Sequence, residues 1–250
     1  MILRPIPFNI RSSPAESRPT KVLFFYLSLP MSRQPADPYL ACRRPVDWKG
    51  NEDVIFSRAV DYCMMGWYYC ALTYLDNAEG AISDTVNLDL LRATAVHHCD
   101  DRTMEEVREL FLKACKSVKP RRKSLYWTPD CLIHNRYWSE AMKKAGWESV
   151  TFMDHLSTTI NKPEDFDLFF NDVLPDWCMP GTSFARKSLF RAAKAFIHIL
   201  ENASVVHIPM SGGPLGRTPF WDLEAQLLHE AGIKIVVLPY GQDYYLYSGL

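Results

Sequence analysis

The residues best suited to chemistry stand in two loops near the end of the chain. The first loop, residues 211–218, reads Ser-Gly-Gly-Pro-Leu-Gly-Arg-Thr and follows an apolar run. Its glycines let the backbone approach a ligand closely, and the start of a following helix favours an anion or a hydroxyl-rich group. The spacing matches neither the dinucleotide-binding loop GxGxxG nor the Walker loop. We predict that Gly212, Gly213 and Arg217 bind a substrate; the alternative is a tight turn between a strand and a helix.

The second loop, residues 240–243, reads Tyr-Gly-Gln-Asp and follows another apolar run. Asp243 is the predicted catalytic residue, because a carboxylate in this position can act as a general base or hold a sugar hydroxyl. Gly241 supplies backbone freedom and Gln242 supplies hydrogen bonding, so we predict that both bind substrate beside Asp243. A loop or helix-capping role for the aspartate is the alternative.

Glu224 is a further candidate because of the face on which it falls. A helix is predicted from Thr218, its N-cap, and Pro219, its first residue, to Ala231. Glu224 lies on the apolar stripe of that helix, where a carboxylate is costly unless it is paired. We predict that it faces the substrate cleft. The alternative is a structural role, paired with Arg217 or with a neighbouring backbone donor.

An earlier loop, residues 128–135, reads Thr-Pro-Asp-Cys-Leu-Ile-His-Asn and follows a short predicted strand. His134 and Asn135 stand at the start of a predicted helix that runs to Ala145, with Asn135 as its N-cap. We predict that both bind substrate, with plain helix capping as the alternative. The loop has no glycine. This disfavours a methyltransferase or a dehydrogenase, because both need a glycine-rich loop after the first strand.

These loops are positioned by a regular alternation of strands and helices that begins near residue 124. Strands are predicted at 124–128, 148–153, 205–210 and 233–239, a short one within 165–170, and helices at 135–145, 186–201 and 218–231. Alternating β and α elements with short connections predict a parallel sheet whose ligands bind at the carboxyl ends of the strands. The predicted fold class is therefore α/β, with a Rossmann-like parallel sheet.

The first half of the chain has a different pattern. Residues 1–20 are rich in arginine and proline, which predicts a disordered tail. Residues 21–120 predict a mostly helical extension, with helices at 53–75, 88–97 and 103–118. A basic run after Pro120 marks the predicted boundary with the Rossmann-like region, residues 121–250.

Composition excludes several classes of partner. The net charge is −1, without the basic excess that a nucleic-acid-binding protein needs. The seven cysteines contain no CxxC pair and no zinc-ligand spacing, which is typical of reduced thiols in a cytosolic protein without a metal. No apolar run reaches the ~20 residues of a membrane-spanning helix, while a peripheral membrane contact stays open.

The order of five segments resembles the N-terminal half of retaining GT-B-type glycosyltransferases, the bacterial enzymes described as family 1/4-like. The segments are residues 125–128, 134–149, 205–208, 212–228 and 234–243. In that family a strand reads D-V-V-H-x-H; here His207 occupies the first histidine position and Pro209 the second. The loop that ends at Asp243 stands where the family has G-S-D.

The resemblance implies a two-lobed enzyme with its active site between the lobes. Residues 121–250 would be the acceptor-side lobe, which binds a glycan or a lipid-linked acceptor and is truncated at its C-terminus. The nucleotide-sugar, a co-substrate rather than a cofactor, would bind a second lobe, so this chain alone is expected to be inactive. The expected location is the cytoplasm or the inner face of the membrane. The alternative is a non-catalytic Rossmann-like module that binds a nucleotide or a protein.

Overall fold

The computed structural model describes residues 51–120, 124–156, 161–178 and 188–239, together with Thr182 and Phe184. Every described residue belongs to one compact unit. The predicted tail at residues 1–20 and the predicted site residues Gly241, Gln242 and Asp243 lie outside the described residues.

Four helices form the described part of the extension, residues 51–120. They are α1 (Glu52–Met64), α2 (Tyr68–Ala78), α3 (Thr85–Val96) and α4 (Met104–Lys116). The prediction of one helix over residues 53–75 is wrong. Gly66 adopts a φ of 76° between α1 and α2, a left-handed conformation that ends a helix. The predicted N-cap of α4 is confirmed, since the hydroxyl of Thr103 accepts a hydrogen bond from the amide of Glu106.

The described sheet has five parallel strands in the order β3-β2-β1-β4-β5. They are β1 (Ser124–Trp127), β2 (Ser149–Met153), β3 (Leu168–Phe169), β4 (Ala203–Pro209) and β5 (Lys234–Leu238). Helix α5 (Ile133–Lys144) connects β1 to β2, α6 (Leu189–Asn202) precedes β4, and α7 (Glu224–Glu230) connects β4 to β5. The predicted Rossmann-like α/β fold with a helical extension is confirmed.

The strand order contains one topological switch point. From β1 the chain builds β2 and β3 on one side, and then returns to place β4 and β5 on the other side. The loops after β1 and β4 therefore diverge at the carboxyl ends of two neighbouring strands. In open α/β sheets this divergence leaves the crevice in which ligands bind.

The extension and the sheet share one hydrophobic core. The ring of Phe111 on α4 stacks on Phe220 in the β4–α7 connection, with ring centroids 4.2 Å apart, and contacts Phe196 on α6. On α1, Phe56 packs against Trp177 at 4.9 Å. Burial of each such aromatic ring contributes about 1.5–3 kcal/mol, so the helices are bound firmly to the sheet layer.

The start of the helix predicted at residues 218–231 differs from the structure. Thr218 begins a series of turns rather than a helix, because its hydroxyl donates to the carbonyl oxygen of Leu215 and accepts from the amide of Phe220. Helix α7 therefore starts at Glu224. Strand β5, which was predicted from an apolar run, is an edge strand of the described sheet, and Val237 on it is 51% exposed. Among the described residues, no helix has the length and apolar character needed to cross a membrane.

Candidate functional site

A pocket of about 300 Å³ opens at the switch point of the sheet. Its wall combines the loops after β1, β2 and β4, the first turn of α6 and the end of α3. The polar residues of this wall are His97, His98, Asp130, Asp154, Ser188, Arg191, Ser211, Arg217 and Thr218. The extension thus contributes to the same pocket as the Rossmann-like sheet, which the sequence did not indicate.

A partly buried ion pair joins two sides of the pocket. Asp154 follows β2, and Arg191 lies in the first turn of α6. The guanidinium of Arg191 donates to a carboxylate oxygen and to the carbonyl oxygen of Asp154, and its Nε donates to Oδ1 of Asn171 at 2.6 Å. Burial alone would raise the pKa of Asp154, but the hydrogen bonds from Arg191 and His155 hold that pKa below its usual value. Asp154 is therefore a charged acceptor that Arg191 keeps in one place.

The glycines of the β4–α7 loop are required by the packing of the loop itself. Gly212 has a φ of 95°, which is strained for any residue with a side chain. A Cβ atom on Gly216 would lie 2.5 Å from the carbonyl oxygen of Ser211. A Cβ atom on Gly213 would lie 2.7 Å from Oε1 of Glu224. These contacts support the tight-turn interpretation of the glycines, while the loop as a whole also lines the pocket.

Glu224 lies beneath this loop and holds it from below. Its side chain is buried, with 3% of the residue exposed. Oε2 accepts from the amide of Gly213 at 2.7 Å and Oε1 accepts from the amide of Leu215 at 3.0 Å. Burial raises the pKa of Glu224, although both hydrogen bonds act in the opposite direction. The structural alternative from the sequence, pairing with a backbone donor, is thus the arrangement found, and the partner is not Arg217.

Most amides of the loop are occupied by bonds within the protein. The amide of Gly212 donates to the carbonyl oxygen of Pro209, and that of Gly216 donates to Gly213. The amide of Thr218 donates to Leu215. Glu224 accepts hydrogen bonds from two more amides of the loop. This loop therefore offers a ligand its side chains more than its backbone amides, unlike a phosphate-binding glycine loop.

Neither of the two residues predicted after β1 lines the pocket. Asn135 is 2% exposed, and its Nδ2 donates to the carbonyl oxygen of Asp130 at 3.0 Å. It lies inside the first turn of α5, so its predicted N-cap role is wrong; Leu132 holds the N-cap position. His134 is exposed and its ring lies 5.8 Å from that of Trp138. From this loop it is Pro129 and Asp130 that line the pocket.

The pocket contains further residues that the sequence patterns did not single out. Asp154 directly follows a predicted strand, a position that could have indicated it. His97 and His98 come from the end of α3, and no local signal connects them with the sheet. The ring of His98 stacks on Tyr68 with centroids 4.6 Å apart. Burial, followed by repulsion from His97, lowers the pKa of His98.

The charges of the pocket are arranged by strand order. Asp130 and Asp154 follow β1 and β2, whereas Arg217 follows β4 on the other side of β1. Arg217 is exposed and forms no ion pair with any residue that the structure describes. Within the same described ranges, no three His, Cys, Asp or Glu side chains are grouped to hold a metal ion. The pocket can thus accept hydrogen bonds on one side and donate them from a cation on the other.

Fold and pocket together define a Rossmann-like α/β protein with a polar ligand pocket at its topological switch point. No family model, no curated protein and no solved structure matches the chain.

Proposed function

We propose that this chain binds a hydroxyl-rich sugar in the switch-point pocket and is the acceptor-binding part of a GT-B-type glycosyltransferase. The observation that supports this most is the placement of Asp130 and Asp154 side by side at the carboxyl ends of neighbouring parallel strands. A carboxylate accepts hydrogen bonds from two hydroxyls, and neighbouring hydroxyls are what a sugar ring presents. The pocket volume of about 300 Å³ suits a small ligand.

The held geometry of these acceptors favours a sugar over a loosely bound solute. Arg191 fixes Asp154, and Asn135 fixes the backbone at Asp130. Acceptors that are positioned before the ligand arrives lose little conformational freedom on binding, so their hydrogen bonds contribute to affinity.

The remainder of the proposal follows from the resemblance. The acceptor would be a glycan or a lipid-linked sugar, and a nucleotide-sugar would be the co-substrate on a second lobe. Asp243, Gly241 and Gln242 would lie near the reacting sugar. The reaction would take place in the cytoplasm or at the inner face of the membrane.

The test is a saturation-transfer NMR screen of the folded chain against monosaccharides, simple glycans and nucleotide-sugars. We expect binding of at least one sugar. Asp130→Asn should weaken it by roughly tenfold, the effect of one lost charge-assisted hydrogen bond. Asp53→Asn is the matched control, because Asp53 is exposed on α1, outside the pocket. Binding of no sugar, or an equal loss in both variants, would contradict the proposal.

A second candidate is a nucleotide-binding module without catalysis. The first turn of α6 lines the pocket, and the N-terminus of a helix attracts phosphate. Uridine diphosphate and adenosine diphosphate belong in the same screen for this reason. A nucleotide that binds while free sugars neither bind nor compete would favour this second function.

A further inference from the structure

Arg217 is a charged side chain of the pocket wall that has no ion-pair partner among the described residues. It is exposed. The other arginine of the wall, Arg191, is already neutralised by Asp154. A guanidinium offers five donors in a planar fork that matches the oxygens of a phosphate group. Arg217 can therefore donate hydrogen bonds to an anionic group of a ligand.

Two imidazoles from the extension line the same pocket. The rings of His97 and His98 lie 5.1 Å apart, close enough to act on one ligand group. Nδ1 of His97 is buried and has no hydrogen-bond partner among the described residues. Each imidazole donates one N–H in its neutral form.

The extension is fixed to the loop that carries Arg217. The guanidinium of Arg108 on α4 donates to both carboxylate oxygens of Asp222, at 2.7 and 2.8 Å, and to the carbonyl oxygen of Pro219 at 3.4 Å. Phe111, one helical turn further, stacks on Phe220. These contacts follow Arg217 closely in the chain, so the helices that carry the imidazoles and the loop that carries the guanidinium form one wall.

We infer that His97, His98 and Arg217 form a subsite for a phosphoryl group of the ligand. The inference rests on the proposed function, because the phosphoryl group is a substituent of the bound sugar. Its donors are side chains, since most amides of the β4–α7 loop are occupied within the protein. The ligand class is a sugar phosphate or a sugar joined through phosphate to a carrier.

The strand order keeps this subsite apart from Asp154. Neighbouring parallel strands are about 4.8 Å apart, so the loops after β2 and β4 are separated by about 10 Å. Asp154 is also neutralised by Arg191. A sugar phosphate can thus direct its hydroxyls toward Asp130 and Asp154 and its phosphoryl group toward Arg217. The first turn of α6 adds a favourable dipole to the same pocket.

The test is calorimetric titration of the full chain with a hexose, the same hexose 1-phosphate, the corresponding hexuronate, inorganic phosphate and uridine diphosphate. We expect the sugar phosphate to bind at least tenfold more tightly than the hexose. Arg217→Gln should remove most of that preference, because it should weaken sugar phosphate binding at least tenfold more than hexose binding. Arg217→Lys should restore part of it. Arg58→Gln, an exposed arginine on α1, should change neither affinity.

The contribution of the extension has its own variants. The double variant His97→Gln, His98→Gln should reduce sugar phosphate binding several-fold more than it reduces hexose binding. His229→Gln, an exposed histidine in the last turn of α7, is the matched control. Thermal unfolding of each variant shows whether a loss of binding reflects a loss of fold.

The outcomes separate this inference from the proposed function. Hexose binding without a gain from the phosphoryl group, or an equal loss of both ligands in Arg217→Gln, would overturn the subsite alone. Arg217-dependent binding of inorganic phosphate or uridine diphosphate, with no sugar bound, would support an anion subsite and overturn the sugar proposal. A hexuronate that binds as tightly as the sugar phosphate would overturn the assignment to a phosphoryl group. Binding of none of these probes would overturn both.

Discussion

The loops after β1 and β4 occupy equivalent positions in the fold but serve the pocket differently. Both follow a parallel strand at the switch point, and both precede a helix. The loop after β4 lines the pocket from Ser211 to Pro219, apart from Leu215 and Gly216. The loop after β1 lines it through Pro129 and Asp130, and then turns away before His134.

The difference lies in how each loop is held. Glu224 binds two amides of the β4 loop from below, so the loop folds back on itself and stays over the strand ends. The β1 loop enters α5 after a few residues. The polar residues His134 and Asn135, in the first turn of that helix, do not line the pocket. A position after a strand therefore predicts pocket-lining residues only for the first residues that follow the strand. Whether a residue at the start of the next helix lines the pocket depends on the direction of that helix.

Gly216→Ala should produce the largest effect, a destabilisation of about 3 kcal/mol. The added Cβ atom would lie 2.5 Å from a backbone carbonyl oxygen, which no side-chain rotation can relieve. Urea unfolding measures the change. Gly80→Ala is the control, because nothing lies within 4 Å of a Cβ atom at Gly80 and the expected change is below about 1 kcal/mol. Equal effects would mean that the β4 loop is not closely packed.

Glu224→Gln should destabilise the protein by about 2 kcal/mol. An amide can accept only one of the two backbone hydrogen bonds, and its NH₂ group then faces a second donor. Glu230→Gln on the same helix is the control, because Glu230 is exposed and the change should stay within about 0.5 kcal/mol. Chemical denaturation of both variants provides the comparison, and loss of ligand binding in the first variant alone would connect the buried carboxyl group with the shape of the pocket.

The pH dependence of the Glu224→Gln effect has a defined sign. Burial raises the pKa of Glu224 above the value of 4.5 expected in the unfolded chain. A raised pKa in the folded state contributes stability at low pH, and that contribution is lost as the pH rises through the folded value. The difference in unfolding free energy between wild type and Glu224→Gln should therefore shrink as the pH rises from 4.5 through the raised pKa of the folded state. A difference that grows with pH would show that the folded state prefers the carboxylate.

Asn135→Ala should have the smallest of these effects, about 1 kcal/mol in stability, through loss of its hydrogen bond to Asp130. It should also weaken sugar binding by a few-fold, because Asp130 would no longer be held in place. His134→Ala is the neighbouring control and should leave both quantities unchanged, since His134 is exposed and outside the pocket wall. A larger loss of binding in His134→Ala than in Asn135→Ala would reverse the difference between the two loops.

The order of elements was predictable, because apolar runs, helix caps and glycines act within a few residues of each other. Thr103 as an N-cap and the strands at the start and in the middle of the Rossmann-like region follow from such local patterns. The break at Gly66 and the start of α7 were missed, since a continuous apolar pattern conceals a turn whose hydrogen bonds compete with the helix. Asp154 could have been predicted as a pocket residue because it directly follows a strand. Its partner Arg191 could not, because it lies on a helix.

The sequence by itself determined the parallel α/β sheet and the placement of a glycine loop after a buried strand, because periodicity and turn chemistry are local. Only the tertiary structure decided which of these residues meet. His97 and His98 lie in the extension, far along the chain from Arg217, and Arg108 and Phe111 bind that extension to the β4–α7 connection. Such contacts depend on how separate helices and loops pack together. The hydrophobic core that the extension and the sheet share brings polar groups that are distant in the chain to a single pocket.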